Sequence, residues 1–290
     1  MSSAAPPLVQ TRPPGFWPRA LRHPSFAIGA VLTLLLVLAA AVSYAWTPWP
    51  VYEMDLAAKL QPPSLSHWLG TDAFGRDVAS LLLVGARASI LVGVVAVGIG
   101  LAVGTALGLL AAARRGWVEE AIMRLADFSL AFPAILSAIM MTAVFGPGMV
   151  NAIVAIGIYN IPTFARITRA SAAAVWSRDY VAAARACGKG PWAITWEHVL
   201  PNISAALIVQ VTIRFAIAIL AEAALSYLGL GTQPPQPSWG RMLSEAQTLM
   251  FQAPLLAVWP GAAIAFAVLG LNLLGDGLRD LLDPRLARAR

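Results

Sequence analysis

Residues able to perform catalysis are few in this sequence and lie outside its apolar stretches. The three histidines are His23, His67 and His198, and the single cysteine is Cys187. No apolar stretch therefore offers a histidine base to a serine nucleophile or a histidine ligand to a buried metal. One cysteine forms no internal disulfide, and no Cys or His cluster has zinc-site spacing. These features argue against an intramembrane hydrolase and against a structural metal.

A phosphate-binding loop is also missing from the sequence. Such a loop needs the pattern G-x-x-x-x-G-K-[ST], in which backbone amides, a lysine and a hydroxyl hold the phosphates and magnesium. The two lysines are Lys59 and Lys189, and Gly190 follows Lys189 where the pattern requires Ser or Thr. We therefore expect this chain to bind no cofactor. If nucleotide drives the protein, ATP and magnesium bind to separate partner subunits.

Ionisable residues inside the apolar stretches are the next candidates, because ion-coupled transporters place such residues toward a cavity. Asp127 lies one turn from Arg124, which favours a capping or paired structural role. Arg214 and Glu222 are separated by about two helical turns and share one face. They either line a transport pathway or pair with neighbouring helices. Three scattered charges do not form a proton relay.

The polar segment at residues 168–204 is suited to docking a partner. Its run from Asp179 to Trp192 predicts an alanine-rich helix, and Gly188 permits a sharp backbone turn there. Small side chains let a partner approach closely, and Pro201 is expected to keep this helix from running straight into the next span. The alternative is an amphipathic helix lying on the bilayer. Alanines bind interfaces weakly, so the pattern favours docking.

Membrane-spanning helices must position these residues. Only 12% of the residues are charged, against about 25% in soluble domains, and the mean hydropathy is +0.72. A helix crosses the hydrocarbon core with about 20 apolar residues. The fourth qualifying stretch is short and contains Asn160 and Pro162. The six predicted spans are residues 26–46, 89–112, 122–145, 150–167, 205–225 and 254–274.

The first apolar stretch has an alternative interpretation as a cleavable signal peptide. Ser43 and Ala45 are small residues at the spacing of a cleavage site. The stretch and the tail before it are both long for a signal peptide. Their length favours a retained first span.

The basic residues predict the orientation, because Lys and Arg in short loops stay cytoplasmic. With the N-terminus inside, 15 of the 20 basic residues are cytoplasmic and 4 are outside. They lie at the ends of apolar segments and form no patch with interleaved aromatics, which argues against nucleic acid as a partner despite the net charge of +6. The predicted organisation is a cytoplasmic tail (1–25), a first helix (26–46), an extracytoplasmic segment (47–88), a core of five helices (89–276) with the cytoplasmic loop 168–204, and a cytoplasmic tail (277–290).

Glycines at four-residue spacing mark the second predicted span. Gly100, Gly104 and Gly108 form two small-xxx-small motifs, and Gly93 and Gly98 lie nearby. Such motifs let helix backbones approach closely. We expect them to serve packing.

The segment at residues 168–204 resembles the cytoplasmic "EAA" loop of bacterial ABC importer permeases. That pattern is E-A-A, three residues, G, about nine residues, then I-x-L-P. Here Ala183, Ala184 and Gly188 match its first half, and Leu200 and Pro201 match its end. The chain departs from the pattern in two places: Ala182 stands where Glu is usual and His198 stands at the Ile position. The missing Glu removes one possible salt bridge to an ATPase.

A second resemblance narrows the family. The run from His67 to Val78, HWLGTDAFGRDV, is similar to the H-x-L-G-T-D-x-x-G-R-D-V signature of the dipeptide, oligopeptide and nickel permeases, in their C-type subunit. Three later runs are similar to the same family, and together they extend the resemblance over nearly the whole chain beyond the N-terminal tail. They are Leu228 to Gly231, Pro237 to Gly240, and Gly275 to Asp280 with Asp283 and Pro284.

The resemblance implies an all-α polytopic fold of six transmembrane helices, the type I importer permease fold, in the bacterial inner membrane. It implies a second homologous permease, two ATPase subunits and an extracytoplasmic solute-binding protein as partners, with peptides or nickel and metal chelates as cargo. A stand-alone secondary transporter or channel is the alternative. The ATPase-coupling residues it implies are Asp179, Tyr180, Ala183, Ala184, Arg185, Gly188, Trp192, Leu200 and Pro201. Those implied at the outer gate or binding-protein contact are Gly70, Thr71, Asp72, Gly75, Arg76 and Asp77.

Overall fold

The computed structural model describes residues 16–282, which are almost entirely helical. Within that range the extended pairing is a single isolated bridge between Thr71 and Asp77. The ends of both predicted tails, and the Asp283 to Pro284 match, lie outside the described residues. The helices are α1 (Phe16–Arg22), α2 (Pro24–Ala45), α3 (Val78–Arg114), α4 (Trp117–Ala131), α5 (Ala134–Phe145), α6 (Met149–Trp176), α7 (Asp179–Ala186), α8 (Pro191–Ile194), α9 (Leu200–Tyr227), α10 (Trp239–Gln247) and α11 (Leu255–Leu282), with a 3-10 turn at Leu56–Ala58 and a π-helical turn at Thr195–Val199.

Five helical runs are long and apolar enough to cross a membrane, and a bent pair makes a sixth candidate. The five are α2, α3, α6, the run Pro191–Tyr227 and α11. The bent pair is α4 and α5, whose axes differ by 84°. The predicted third span at residues 122–145 is therefore not one straight helix. Phe132 is extended because Pro133 follows it and disfavours helical backbone there.

The predicted fourth span is longer and more regular than its composition suggested. α6 runs for 28 residues with Pro162 inside it. Many of its residues from Ala152 onward are buried against neighbouring helices. Packing therefore outweighs the loss of the hydrogen bond that a proline removes from a helix.

The expectation that Pro201 would separate the docking helix from the fifth span is wrong. The chain from Pro191 to Tyr227 forms one helical run that includes the π-helical turn. In that turn the Leu200 amide donates to the Thr195 carbonyl, five residues back. We infer that this wider turn accommodates the proline ring, which clashes with the preceding carbonyl in a regular helix.

The packing predicted for the second span is confirmed. A Cβ built on Gly100 would lie 2.4 Å from the Asn160 Cβ, and one on Gly104 would lie 2.4 Å from the Ile161 carbonyl oxygen. A Cβ on Gly108 meets α6 in the same way. The backbones of α3 and α6 touch along this stripe, and their contact forms the centre of the fold.

The two outer polar segments meet at one end of the bundle. They are residues 47–77, before α3, and residues 228–254, between α9 and α11. The Arg76 Nη2 lies 3.1 Å from the Glu245 Oε2 and joins the two segments. The Trp239 indole nitrogen also donates to the Leu82 carbonyl of α3 at 3.0 Å, and the Gly148 amide donates to the Leu230 carbonyl at 3.0 Å. The turn that contains α7 and α8 lies at the opposite end, where α6 finishes and α9 begins.

Candidate functional site

The helix α7 ends in a complete Schellman motif. Gly188 has a φ of 83°, a left-handed conformation that favours glycine. Its amide donates to the Arg185 carbonyl at 2.9 Å, and the Lys189 amide donates to the Ala184 carbonyl at 3.1 Å. Both bonds are those of the motif that reverses a chain after a helix. The sharp turn expected at this glycine is present. We call residues 179–199 the docking turn.

The inner face of the docking turn packs on the rest of the chain. Val181 and Ile194 are fully buried, and Ala184 is nearly so, in the cluster that also contains Trp176. The Arg185 guanidinium lies over the Trp176 ring, 4.8 Å from its centre. The apolar side chains of α7 therefore contact protein rather than lipid, which counts against the bilayer-surface alternative.

The outer face of the docking turn is open and built from small side chains. Ala182, Ala183 and Ala186 are exposed, and nothing lies within 4 Å of a Cβ built at Gly188 or Gly190. Two aromatic side chains border this face, with Tyr180 46% exposed and Trp192 49% exposed. A smooth surface with aromatic edges suits a protein partner.

The docking turn contains two short helices, α7 and α8, and not the single helix expected from Asp179 to Trp192. α7 ends at Ala186, and Trp192 begins the next helical run. Leu200 and Pro201 continue that run toward the membrane. The two departures from the EAA pattern differ in their surroundings. His198 lies edge-on to Tyr180 with ring centres 6.1 Å apart, whereas Ala182 is exposed.

We call residues 47–77 and 228–254 the outer cap. Asp72 organises its first part: its Oδ1 accepts from the backbone amides of Phe74 and Arg76 at 2.8 and 2.9 Å, and its Oδ2 accepts from the Arg76 Nε at 2.7 Å. Gly70 and Gly75 have φ values of 82° and 77°, so they supply the turns on either side.

Thr71 and Asp77 complete this fold and are both buried. The Thr71 hydroxyl donates to the Ala58 carbonyl and accepts from the Gln61 amide. The Asp77 Oδ2 caps α3 by accepting from the Ser80 amide at 2.8 Å and the Ser80 hydroxyl at 2.7 Å. The other Asp77 oxygen lies 3.1 Å from the His67 Nδ1. Six residues were expected at the outer gate. Of these, Asp72, Asp77 and Thr71 stabilise the loop itself, and Arg76 faces the second part of the cap.

Glu245, on α10, joins the two parts of the outer cap and was missed by the sequence analysis. Its Oε2 lies 3.1 Å from the Arg76 Nη2, and its Oε1 accepts from the Arg241 Nε at 2.8 Å. The i,i+4 spacing of Arg241 and Glu245 was the available signal for half of this network. The contact with Arg76 crosses most of the sequence, so no local pattern reveals it.

Glu222 and Arg214 do not pair with each other. Glu222 is fully buried near the outer end of α9, and its Oε1 accepts from the hydroxyls of Ser226 at 2.6 Å and Thr232 at 3.2 Å. Arg214, two turns away, is half-buried. Asp127 also has a partner other than the one expected, because it lies 3.5 Å from Arg166, whereas Arg124 pairs with Glu120.

Known proteins that are similar to this chain, in sequence and in fold, belong to transport systems. Residues 104–288 match the family described as binding-protein-dependent transport system inner membrane component. The glutathione transport system permease protein GsiD of Pectobacterium atrosepticum is 43% identical over 93% of this chain and 90% of its own length. GsiD of Escherichia coli O157:H7 is 43% identical over 99% of this chain and 95% of its own length. The dipeptide transport system permease protein DppC of Alkalihalophilus pseudofirmus is 42% identical over 89% of this chain and 85% of its own length.

A chain of a solved structure, that of the methionine ABC transporter MetNI in an inward-facing conformation, has a similar fold, with a TM-score of 0.58 and 18% identity. The match covers 72% of this chain and 95% of that chain. This likeness supports the permease fold and carries no information on cargo.

The helical fold and these relatives define a class, the membrane-spanning permease subunits of ABC importers. This chain belongs to the family of binding-protein-dependent transport system inner membrane components. It is a multi-pass transport subunit of the bacterial inner membrane, and its importer uses separate ATPase subunits and a substrate-binding protein. Membership of this family argues against the alternative hypothesis of a stand-alone transporter or channel.

Proposed function

We propose that this chain and a second, homologous permease together form the pathway of an importer for short peptides. Two relatives that cover most of this chain at 42–43% identity are named for dipeptides and glutathione. The similarity extends over both ends of the bundle, including the outer cap and the docking turn. Glutathione and dipeptides are therefore the cargo we favour over longer peptides and nickel or metal chelates.

The docking turn is the proposed contact with one of two ATPase subunits. The observation that carries this proposal is its two-sided construction, in which Val181 and Ile194 are fully buried while the alanines opposite them are exposed. A rigidly held helix with a smooth outer surface transmits force from a partner. ATP and magnesium would bind in that partner, and no residue of this chain is assigned to them.

Movement of the docking turn would pass directly into the membrane. The helical run from Pro191 to Tyr227 is continuous, so a rotation at its start changes the position of α9. Rigid-body rotation of packed elements between two states is a common switching mechanism. We propose that ATP-driven closure of the two ATPases tips α9 in this way. The transport pathway then closes on the inner side of the membrane and opens on the outer side.

The outer cap is the proposed contact for the solute-binding protein. Arg76, Glu245 and Arg241 form a charged network that joins its two parts. The leucine at residue 65 is 99% exposed and Trp68 is 58% exposed. Polar groups beside exposed apolar side chains are the usual composition of a transient protein interface.

The test of ATPase coupling is the pair of variants Gly188→Val and Gly190→Val. Gly188 has a positive φ, whereas Gly190 has a φ of −70°, and a Cβ at either position meets nothing within 4 Å. A β-branched residue strains only the first position. We expect Gly188→Val to lower binding-protein-stimulated ATP hydrolysis and uptake in proteoliposomes by about tenfold or more, since it distorts the docking turn.

Gly190→Val is the matched control and should keep both activities. Co-purification of the ATPase subunits with each variant separates loss of docking from loss of coupling. Equal activity of the two variants would show that the turn geometry is not used for coupling. Uptake by the wild-type chain without any ATPase would contradict the proposal altogether.

Cargo is tested with the complete wild-type importer and its binding protein. Radiolabelled glutathione, a dipeptide, an oligopeptide and a nickel salt are offered separately, with uptake measured with and without ATP. We expect ATP-dependent uptake of glutathione or the dipeptide. Uptake of nickel and of none of the peptides would contradict a peptide cargo and assign nickel to this importer instead.

A further inference from the structure

Arg214 carries a charge that no described residue neutralises. None of the ion pairs within residues 16–282 includes it. Its Nε is buried and donates no hydrogen bond. The rest of the side chain is partly exposed at the surface of the single chain. A cationic group with unused donors is thus available to a molecule outside this subunit.

The depth of Arg214 makes contact with lipid unfavourable. It lies halfway along α9 (Leu200–Tyr227), about 20 Å of helix from either end. The middle of the hydrocarbon core is about 15 Å from the headgroups, a distance that an arginine side chain does not cover by extending toward the interface. Charged residues at this depth face a water-filled cavity or a partner rather than lipid.

A second polar side chain lies beside Arg214 on the same helix. Gln210 lies one turn away on the same face of α9 and is also partly exposed. Glu222, the carboxylate two turns outward, is occupied by Ser226 and Thr232. Arg214 and Gln210 thus form a polar, cationic strip at mid-membrane that suits a water-filled pathway rather than lipid.

We propose that Arg214 is the anion-binding residue of the transport pathway and pairs with the carboxylate of a passing peptide. This inference rests on the proposed function. The guanidinium presents parallel N–H donors that match the two oxygens of a carboxylate. Solutes with a free carboxylate, such as glutathione and unmodified dipeptides, are therefore preferred over solutes of the same size that lack one.

The experiment compares alanyl-alanine with its C-terminal amide in proteoliposomes that contain the complete importer. The proteins are the wild type, Arg214→Gln, Arg214→Lys and the control Arg124→Gln, which removes an exposed charge on α4. One binding protein serves all four, so its own preference cancels when acid-to-amide uptake ratios are compared. We expect Arg214→Gln to lower this ratio about tenfold, the effect of losing a charged hydrogen-bonded pair.

The controls separate pathway binding from assembly. Arg214→Lys should keep part of the ratio because it retains the charge but not the two parallel donors, and Arg124→Gln should keep all of it. Co-purification of the second permease and the ATPase subunits with Arg214→Gln should match the wild type, because the proposed contact is with the solute and not with a subunit. Should amide uptake be too slow to measure, loss of acid uptake with normal co-purification supports the same assignment.

Two results would overturn this inference without contradicting the proposed function. An unchanged acid-to-amide ratio with a transporting wild type would show that Arg214 does not contact the carboxylate. An equal fall for both solutes, or loss of the second permease on co-purification, would show that Arg214 pairs with that subunit and serves assembly. If the wild type takes up neither peptide form, the proposed function itself fails, and the inference fails with it.

Discussion

At the residue scale, buried carboxylates in the outer half of this chain act as acceptors for nearby amides and hydroxyls. Asp72 and Asp77 each bind backbone amides of the turns that follow them. Glu222 accepts two hydroxyls and thereby ties the end of α9 to Thr232 in the outer cap. A buried polar group costs free energy unless it is hydrogen-bonded, so each carboxylate selects one local structure.

Glu222→Ala tests this role. The change leaves the Ser226 and Thr232 hydroxyls without their shared acceptor in a buried site, which costs about 1–3 kcal/mol. We expect a lower midpoint of thermal unfolding for the purified importer. Glu222→Gln keeps a carbonyl oxygen at the same position and should lose less.

Glu120→Ala is the surface control for that experiment. Glu120 pairs only with Arg124 within the described residues, and both side chains are mostly exposed, so its loss should change the midpoint little. Equal shifts for Glu222→Ala and Glu120→Ala would show that the buried bonds do not stabilise the outer cap.

At the element scale, the contact between α3 and α6 depends on glycines at particular positions. A Cβ at Gly104 would meet the backbone of α6, whereas one at Gly98, fewer than two turns away on the same helix, would have nothing within 4 Å. Since lipid is as apolar as the helices, close backbone packing supplies much of their association.

Gly104→Ala and Gly98→Ala should therefore have opposite effects. A methyl group at Gly104 would lie 2.4 Å from the Ile161 carbonyl oxygen and force the helices apart, at a cost of about 1–3 kcal/mol. Alanine at Gly98 has room and a better helix propensity, so it should be neutral or slightly stabilising. Thermal unfolding and the yield of folded protein from membranes measure both. Similar losses for the two variants would contradict the assigned packing.

At the scale of the whole molecule, the orientation in the membrane determines which partner meets which end. The docking turn and the outer cap lie at opposite ends of the bundle. The distribution of basic residues predicts that the docking turn is cytoplasmic. Only this orientation lets an ATPase reach α7 and an extracytoplasmic binding protein reach the cap.

The single cysteine offers a direct test of orientation. Cys187 is exposed at the end of α7. We expect a membrane-impermeant maleimide to label it in inside-out vesicles and not in intact spheroplasts, and bound ATPase subunits to slow the labelling.

A cysteine introduced at Leu65 in a Cys187→Ala background should show the reverse pattern. Leu65 is almost fully exposed in the outer cap, so its accessibility is not limited by burial. Labelling of Cys187 from the outside would contradict the orientation and the assignment of both partner surfaces.

Features that depend on composition and on local turn chemistry could be predicted from the amino-acid sequence. Apolar stretches of sufficient length predict helices in lipid, because transfer of a segment into the bilayer depends mainly on its own residues. Gly188 could be assigned to a turn and Gly104 to a helix contact for similarly local reasons: the first needs a left-handed backbone, and the second lies in a repeated spacing.

Features that depend on residues far apart in the chain could be seen only in the folded protein. The 84° angle between α4 and α5, and the helix that continues through Pro201, depend on how neighbouring helices pack. The link from Arg76 to Glu245 crosses most of the sequence. Glu222 bonds to Ser226 and Thr232 and leaves Arg214 without a carboxylate, because a buried acceptor takes the donors that the fold brings to it. Helical spacing placed both charges on one face, but the partner of each charge depends on long-range contacts that no local pattern encodes.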